Sequence, residues 1–270
     1  MGVAAIWRYP VKAMLGELLD RVGVAAGGLE GDRRWVVAEV AGGKRIANKR
    51  GPTDARLRAC RARLERGGEL VVTLPDGHTT VTGVAAVAAA LSDLLGRRVT
   101  LVEHPGGGDR FARTGGHHDF APVHLLTTRT LAHMRAVAPE CDWDARRFRP
   151  NLVLDDGAAP GELTERGLLG AELRGWSGVR LRVGLPTPRC VVPTRAREEL
   201  PADPRLLKAI AGQSRWDLGP LGRPACLGAY AEVARGGHLV VGERLRVRPR
   251  AEPTPELAVA AAVERVVAEA

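Results

Sequence analysis

The chain has few of the residues on which several fold and function classes depend. Its 270 residues include four cysteines, Cys60, Cys141, Cys190 and Cys226. No two of them have the close spacing of a zinc knuckle, an iron–sulfur loop or a redox dithiol. Disulfides are not needed at this length, which is enough to bury a real core as one large or two modest domains. Aromatic residues make up 4% of the chain, too few for a base-stacking platform. No apolar stretch approaches the roughly 20 residues of a bilayer-spanning helix. Met1 to Arg8 enters a strand pattern directly, without the apolar run and cleavage site of a secretory signal. The expectation is a soluble, cytoplasmic protein with reduced thiols and no membrane partner.

Positive charge is abundant but has no focus. The formal net charge is +9 and the pI is about 10.2, yet arginines are scattered along the chain with acids between them. No run of five or six basic residues occurs. That distribution favours small anions over nucleic acid as the partners of the excess charge.

Short strands joined by glycine turns are what the chain does have. Ile6 to Tyr9, Arg34 to Glu39, Leu70 to Leu74 and Val99 to Val102 are β-branched or alternating, and Gly27-Gly28, Gly42-Gly43, Gly67-Gly68 and Asp76-Gly77 supply turns between them. Val84 to Leu95 repeats its apolar residues at helical spacing. A glycine-rich break at Gly106 to Gly116 marks a domain boundary. Beyond it, Val123 to Leu126 and Asn151 to Leu154 read as strands, and Leu173 to Val183 and His238 to Val247 as half-buried ones. Thr127 and Thr128 are placed to cap a helix over Leu131 to Ala138. Asp203 to Ala211 reads as a short helix, and Glu256 to Ala268 as an amphipathic C-terminal one. Many hairpins without regular strand–helix alternation predict a mostly β, closed or nearly closed α+β architecture with a few peripheral helices. Its segments are residues 1–105, 106–250 and a C-terminal helix over 251–270.

Candidate chemistry centres on Cys190, at the end of Pro186-Thr187-Pro188-Arg189-Cys190. A guanidinium next to a thiol after a short proline-rich turn favours the thiolate that a nucleophile or metal ligand requires. Three basic motifs accompany it: Tyr9-Pro10-Val11-Lys12, Gly31-Asp32-Arg33-Arg34-Trp35 and Arg146-Arg147-Phe148-Arg149-Pro150-Asn151. Each also has an ordinary structural reading. Lys12 can keep a strand edge soluble, Arg33 can pair with Asp32, and Asn151 can bond the backbone. His117-His118-Asp119 is weighed as a metal site, but adjacent strand histidines point to opposite faces, so a solvated turn is the better expectation. Cys226 is expected to be a buried small hydrophobe.

Taken together, the motifs resemble the MOSC family, the molybdenum-cofactor sulfurase C-terminal domain proteins, and more narrowly the branch with an N-terminal β-barrel domain that includes the amidoxime-reducing components. The matching pieces are Tyr-Pro-Val-Lys at 9–12, Gly-Leu-Glu-Gly-Asp-Arg at 28–33 and Ala-Pro-Val-His-Leu-Leu-Thr at 121–127. They continue with Arg-Arg-Phe-Arg-Pro-Asn at 146–151, Arg-Cys at 189–190 and Val-Gly-Glu at 241–243. The resemblance implies that Cys190 ligates molybdenum through a soft thiolate and that Lys12, Arg33 and Arg149 hold the pterin and its phosphate. It makes Thr127, Thr128 and Asn151 neutral partners and sets Arg189 to orient the Cys190 loop. The chain departs from the family pattern where Ala13 stands in place of a common serine, where Thr187 stands in place of a cysteine of many relatives, and after Cys190, where Val191-Val192-Pro193-Thr194-Arg195 replaces a Thr-rich run and would reshape the substrate rim.

The expected function is a molybdenum-cofactor (molybdopterin) oxidoreductase that reduces N-hydroxylated or related N–O and S–O small-molecule substrates. The alternative is a non-catalytic carrier of the cofactor or of sulfur. The chain has no ferredoxin-like cysteine segment, so electrons would come from a separate ferredoxin-like or cytochrome-like protein.

Overall fold

The computed structural model describes residues 1–46, 52–104, 117–157 and 163–249. The first half runs β1 (Gly2–Arg8), β2 (Glu17–Leu19), β3 (Arg21–Ala25), β4 (Gly28–Leu29), β5 (Trp35–Glu39), α1 (Pro52–Ala59), β6 (Arg61–Leu64), β7 (Leu70–Thr73), β8 (Thr80–Thr82), α2 (Val84–Leu95) and β9 (Val99–Glu103). The second runs β10 (Val123–Thr127), α3 (Thr128–Val137), β11 (Leu152–Asp155), α4 (Thr164–Leu168), β12 (Glu172–Arg174), β13 (Arg180–Pro188), α5 (Arg205–Gln213), β14 (Cys226–Arg235), β15 (Gly237–Val240) and β16 (Arg246–Arg248). The glycine-rich break and the expected C-terminal helix lie outside the described residues.

One eight-stranded sheet, in the order β16-β12-β13-β14-β10-β11-β1-β2, organises the molecule. Backbone bonds from Val3 N to Glu243 O, Gly242 N to Val3 O and Leu245 N to Met1 O join β1 to the segment that enters β16. They carry one end of the sheet back to the other and close it into a barrel, which removes the exposed edges. One pairing departs from the expected hairpins. β10 and β11 run parallel, connected through α3, as a crossover requires.

Two expected strands are each broken by a glycine with a left-handed backbone. Leu173 to Val183 folds into the hairpin β12–β13 at Gly178 (φ 89°), and His238 to Val247 divides into β15 and β16 at Gly242 (φ 87°). The inward alternation of Leu173, Leu181 and Val183 continues across the first break, so pattern alone does not show it.

α2 matches its expected span. Val87, Leu91 and Leu95 bury one stripe, and Gly96 ends the helix in the left-handed conformation. Truncating the fully buried Leu91 to Ala would cost about 2–5 kcal/mol.

The boundary expected near residue 105 divides the sequence, whereas the barrel core draws on both sides of it. Val3, Ile6, Val22, Val24 and Leu29 pack in one cluster with Val123, Leu125, Leu181 and Leu245. A second core, with Val11, Trp35, Leu70, Leu91 and Leu101, fills the remainder of the N-terminal half. A third lies beneath α3 and α5. The segments that leave the barrel between these cores carry the polar residues of interest.

Candidate functional site

Backbone pairing brings the first basic motif to the second. Tyr9 N donates to Asp32 Oδ1 at 2.7 Å. Arg33 N donates to Tyr9 O at 2.7 Å, Trp35 N to Pro10 O at 3.0 Å and Lys12 N to Trp35 O at 2.8 Å. Asn151 adds the third motif through one amide. Its Oδ1 accepts from His124 N at 3.1 Å and from Arg33 Nη1 at 3.2 Å, while Nδ2 donates to Trp7 O at 3.2 Å. The Cys190 segment arrives on β13, where Pro188 pairs with Cys226 and Arg189 N donates to Ala225 O at 2.8 Å.

These segments enclose a cavity of about 140 Å³. Its cations are Lys12, Arg33, Arg58, Arg147, Arg149 and Arg189, its carboxylate is Asp119, and its thiol is Cys190. Phe120, Phe148, Val192, Pro193 and Tyr230 give it an apolar wall. Cys190 is half-buried, whereas Cys60, Cys141 and Cys226 are buried elsewhere. Burial pushes the Cys226 thiol up to about 12, as expected of a small hydrophobe.

The cations are held in different ways. Arg33 pairs with the fully buried carboxylate of Asp32. Burial works against the Arg33 charge, but Asp32 outweighs it and the guanidinium is raised. Arg149 donates to Met14 O and lies 4.2 Å from the centre of the Tyr9 ring. Burial, then the charges of Arg197 and Arg33, bring it down to about 9. Arg189 donates through Nε to Leu227 O at 2.8 Å and through Nη1 to Phe148 O at 3.2 Å. That pattern locks the backbone that presents Cys190. Lys12 lies 3.1 Å from Asp119.

His124 sits at the centre of the polar wall. Burial, followed by the charge of Arg189, holds it well below the usual histidine range, so the ring is neutral. A guanidinium can only donate, so Nε2 accepts from Arg189 at 2.6 Å, and Nδ1–H donates to Arg149 O at 3.2 Å. One imidazole therefore connects the Arg149 turn to the Cys190 loop.

Backbone strain gathers at the same place. The non-glycine residues with positive φ among those described are Ala13 (76°), Arg33 (48°), Arg149 (54°) and Glu198 (49°), and the first three line the cavity. Such conformations cost of order 1–3 kcal/mol each and persist where surrounding structure enforces them, commonly at functional sites.

Of the residues singled out in the sequence, Lys12, Arg33, Arg149, Arg189 and Cys190 meet at the cavity. Thr127 and Thr128 do not reach it. Thr127 caps α3 by accepting from Thr130 N at 3.1 Å, and Thr128 Oγ1 donates to Asp155 at 2.9 Å. Asn151 is buried, and its amide is spent tying the three segments together. The solvated turn expected at His117 and His118 is also corrected, because both rings are buried. Among the described residues no group of three His, Cys, Asp or Glu could hold a metal ion.

His124, Tyr230 and Arg58 line the cavity without having been singled out, and Asp119, weighed only as part of a metal site with His117 and His118, lines it as well. His124 stands inside the 121–127 motif, but in a strand that reads as buried it carries no local signal.

Solved structures that resemble the chain include the YuaD protein from Bacillus subtilis, with a TM-score of 0.47 and 11% identity over 92% of this chain and 96% of that one. YiiM from Geobacillus stearothermophilus gives 0.35 and 17% over 53% and 64%, and YiiM from Escherichia coli 0.36 and 15% over 57% and 66%. No curated protein matches. The sequence itself matches the MOSC N-terminal beta barrel domain over residues 1–107 and the MOSC domain, on half of the chain, over 112–246. The chain therefore belongs to the MOSC domain family, in the arrangement where a MOSC N-terminal β-barrel domain precedes a MOSC domain, the latter linked to molybdenum-cofactor and sulfur chemistry.

Proposed function

We propose that the Cys190 cavity binds the molybdenum cofactor and that the protein is a reductase of N-hydroxylated or related N–O and S–O compounds. One observation carries the reading: Cys190 is the thiol of a cavity whose charged lining is cationic except for Asp119. A soft thiolate suits a metal already held by sulfur, and guanidinium and ammonium groups suit an anionic organic group. The donor set therefore fits the cofactor. Cys190 would hold the metal, with Lys12, Arg33 and Arg149 on the anionic part of the cofactor.

When bound, the cofactor supplies two-electron redox chemistry. The protein does the remainder. Arg189, fixed to Leu227 O, Phe148 O and His124, holds the Cys190 loop in one conformation, which limits reorganisation during turnover. Phe120, Val192, Pro193 and Tyr230 exclude water and receive the apolar body of a substrate. Reduction of a hydroxylamine to an amine consumes two electrons and two protons and releases water. The electrons are assigned to a separate ferredoxin-like or cytochrome-like protein, acidic to match the chain's +9 charge.

Molybdenum and pterin are to be quantified on protein made in a cofactor-competent host, together with turnover of an N-hydroxylated compound with an artificial electron donor. Stoichiometric metal with turnover supports the reductase. Metal without turnover of any N–O or S–O compound supports the carrier, and protein without metal ends both readings.

A further inference from the structure

The outer face of the barrel near the β12–β13 turn concentrates positive charge far from the Cys190 cavity. Strand register places Arg246, Arg174, Arg180 and Arg235 opposite one another across β16, β12, β13 and β14. Their neighbours Leu173 and Leu181 are buried in the barrel core, so alternation turns Arg174 and Arg180 outward. Arg174, Arg235 and Arg246 are exposed, and Arg180 is half-buried. Arg174 pairs with Glu172, whereas Arg180, Arg235 and Arg246 have no carboxylate partner among the described residues.

Like charges directly opposite on antiparallel strands destabilise a sheet. The adjacent row avoids this: Arg248, Glu172, Arg182 and Glu232 alternate in sign, and Arg182 lies 4.0 Å from Glu232. A face that alternates sign in one row and stacks a single sign in the next points to a ligand of opposite charge, because local rules are broken chiefly where a site requires it.

The turn between β12 and β13 brings an aromatic group to the same place. Trp176 is 68% exposed, more than any other large apolar residue described, and its ring stands edge-on to His238 at 4.8 Å. Gly178, in the same turn, lies so near the end of the row that a β-carbon on it would be 3.5 Å from the Arg235 guanidinium carbon. Arginine and tryptophan are the side chains that carry most binding energy in protein interfaces.

We infer that this face docks an acidic protein segment, an extended polypeptide with carboxylates on alternate residues, laid across β16, β12, β13 and β14 with Trp176 flanking it. Strands about 4.8 Å apart make the arginine row about 14 Å long, and carboxylates on three alternate residues of an extended segment span about 13 Å. Glu172 and Glu232 select against a uniform polyanion. A phosphate backbone or an anionic bilayer would press negative charge onto them, whereas a polypeptide can place a neutral or basic residue there. Arg180 and Pro188 stand at opposite ends of the nine-residue β13, about 26 Å apart by strand rise. A segment bound here therefore leaves the cavity open, and the inference does not rest on the reductase reading.

The test titrates the full-length protein into a labelled peptide of alternating glutamate and threonine, followed by fluorescence anisotropy at low salt. Wild type should bind saturably and weaken as ionic strength rises. Arg180→Glu should bind at least tenfold more weakly, because a charge-assisted contact becomes a repulsive one. Its Tm without peptide should equal or exceed that of wild type, since the same change relieves the row. Arg66→Glu makes an identical charge change at an exposed position in the turn between β6 and β7, and should stay within threefold of wild type. Trp176→Ala should weaken binding severalfold. No saturable binding by wild type, or Arg180→Glu within threefold of it, overturns the docking face. Equal losses in Arg180→Glu and Arg66→Glu also overturn it, because net charge alone would then explain binding. Tighter binding of oligothymidylate or of phosphatidylserine vesicles at the same ionic strength reassigns the face to nucleic acid or lipid and overturns the acidic segment. Protein that binds the peptide but never loads molybdenum supports the docking face and removes the reductase, and loaded, active protein that ignores the peptide does the reverse.

Discussion

His124 Nε2 lies 2.6 Å from an Arg189 guanidinium nitrogen, and this contact exists because residue 228 has no side chain. A β-carbon on Gly228 would lie 2.6 Å from His124 Nε2, 2.6 Å from Leu125 O and 3.1 Å from Arg189 Nη2, on a backbone with φ +81°. Gly228→Ala should therefore push the imidazole off Arg189 and loosen both the Arg149 turn and the Cys190 loop. The expected cost is about 1–3 kcal/mol in urea unfolding, accompanied by lower metal occupancy. An unchanged midpoint together with full occupancy would show that the network tolerates displacement.

The thiols of Cys190 and Cys226 should separate cleanly. Cys190→Ser replaces a soft donor with a hydroxyl of similar size, so molybdenum loading should be lost while the circular dichroism spectrum and Tm stay near wild type. Cys226 lies in the barrel core, where Ser introduces a hydroxyl. That variant should lose about 1–3 kcal/mol of stability and retain the metal. Metal analysis after gel filtration checks both; the opposite pattern would place the ligand at the wrong cysteine.

Much of this site was legible because its residues fall in short motifs whose chemistry matches one ligand class. Lys12, Arg33, Arg149 and Cys190 are each ambiguous locally, and in the sequence only the ordered resemblance of their motifs to one family connects them. His124 was not legible. In Val123-His124-Leu125-Leu126 it reads as one residue of a buried strand, and only the structure shows its imidazole joining Arg189 to the Arg149 turn. Thr127 reads in two ways at once. A threonine at a strand end suits both a ligand contact and a helix cap, and the structure shows the cap: its Oγ1 accepts from Thr130 N at 3.1 Å while Glu165 accepts from Thr127 N at 2.6 Å. The β12–β13 break was hidden because a hairpin preserves the two-residue alternation on both of its arms.

The two buried histidines should make the protein lose stability as pH falls below the ordinary histidine range. Burial lowers His118 to about 4, and His124 is lowered in the same direction, chiefly by burial. A histidine whose folded pKa lies below the ordinary value of about 6.5 binds fewer protons folded than unfolded. Stability is therefore fully present above about pH 6.5 and falls as pH drops toward 4. Urea midpoints between pH 7.5 and 4.5 should decline with a slope that flattens in His118→Asn, if that variant folds, or with both rings detected neutral by NMR at pH 5.5. A flat profile in wild type would contradict the burial of these rings as neutral groups.

One face of the barrel carries an arrangement that should limit stability. Arg246 pairs with Arg174, Arg174 with Arg180, and Arg180 with Arg235, so four arginines stand directly opposite one another across β16, β12, β13 and β14. The neighbouring row, Arg248, Glu172, Arg182 and Glu232, alternates in sign. Like charges directly opposite on antiparallel strands cost roughly 0.2–1 kcal/mol per pair. Arg180→Glu converts two repulsive contacts to attractive ones, so it should stabilise the protein by about 1 kcal/mol at low ionic strength, with Arg182→Glu, which breaks the alternating row, having the opposite sign. At 1 M salt the screening length falls to about 3 Å, and both effects should shrink toward zero. Urea unfolding of the two variants at low and high salt tests this directly. Equal effects of the same sign, or effects that do not respond to salt, would mean that packing rather than charge governs this face.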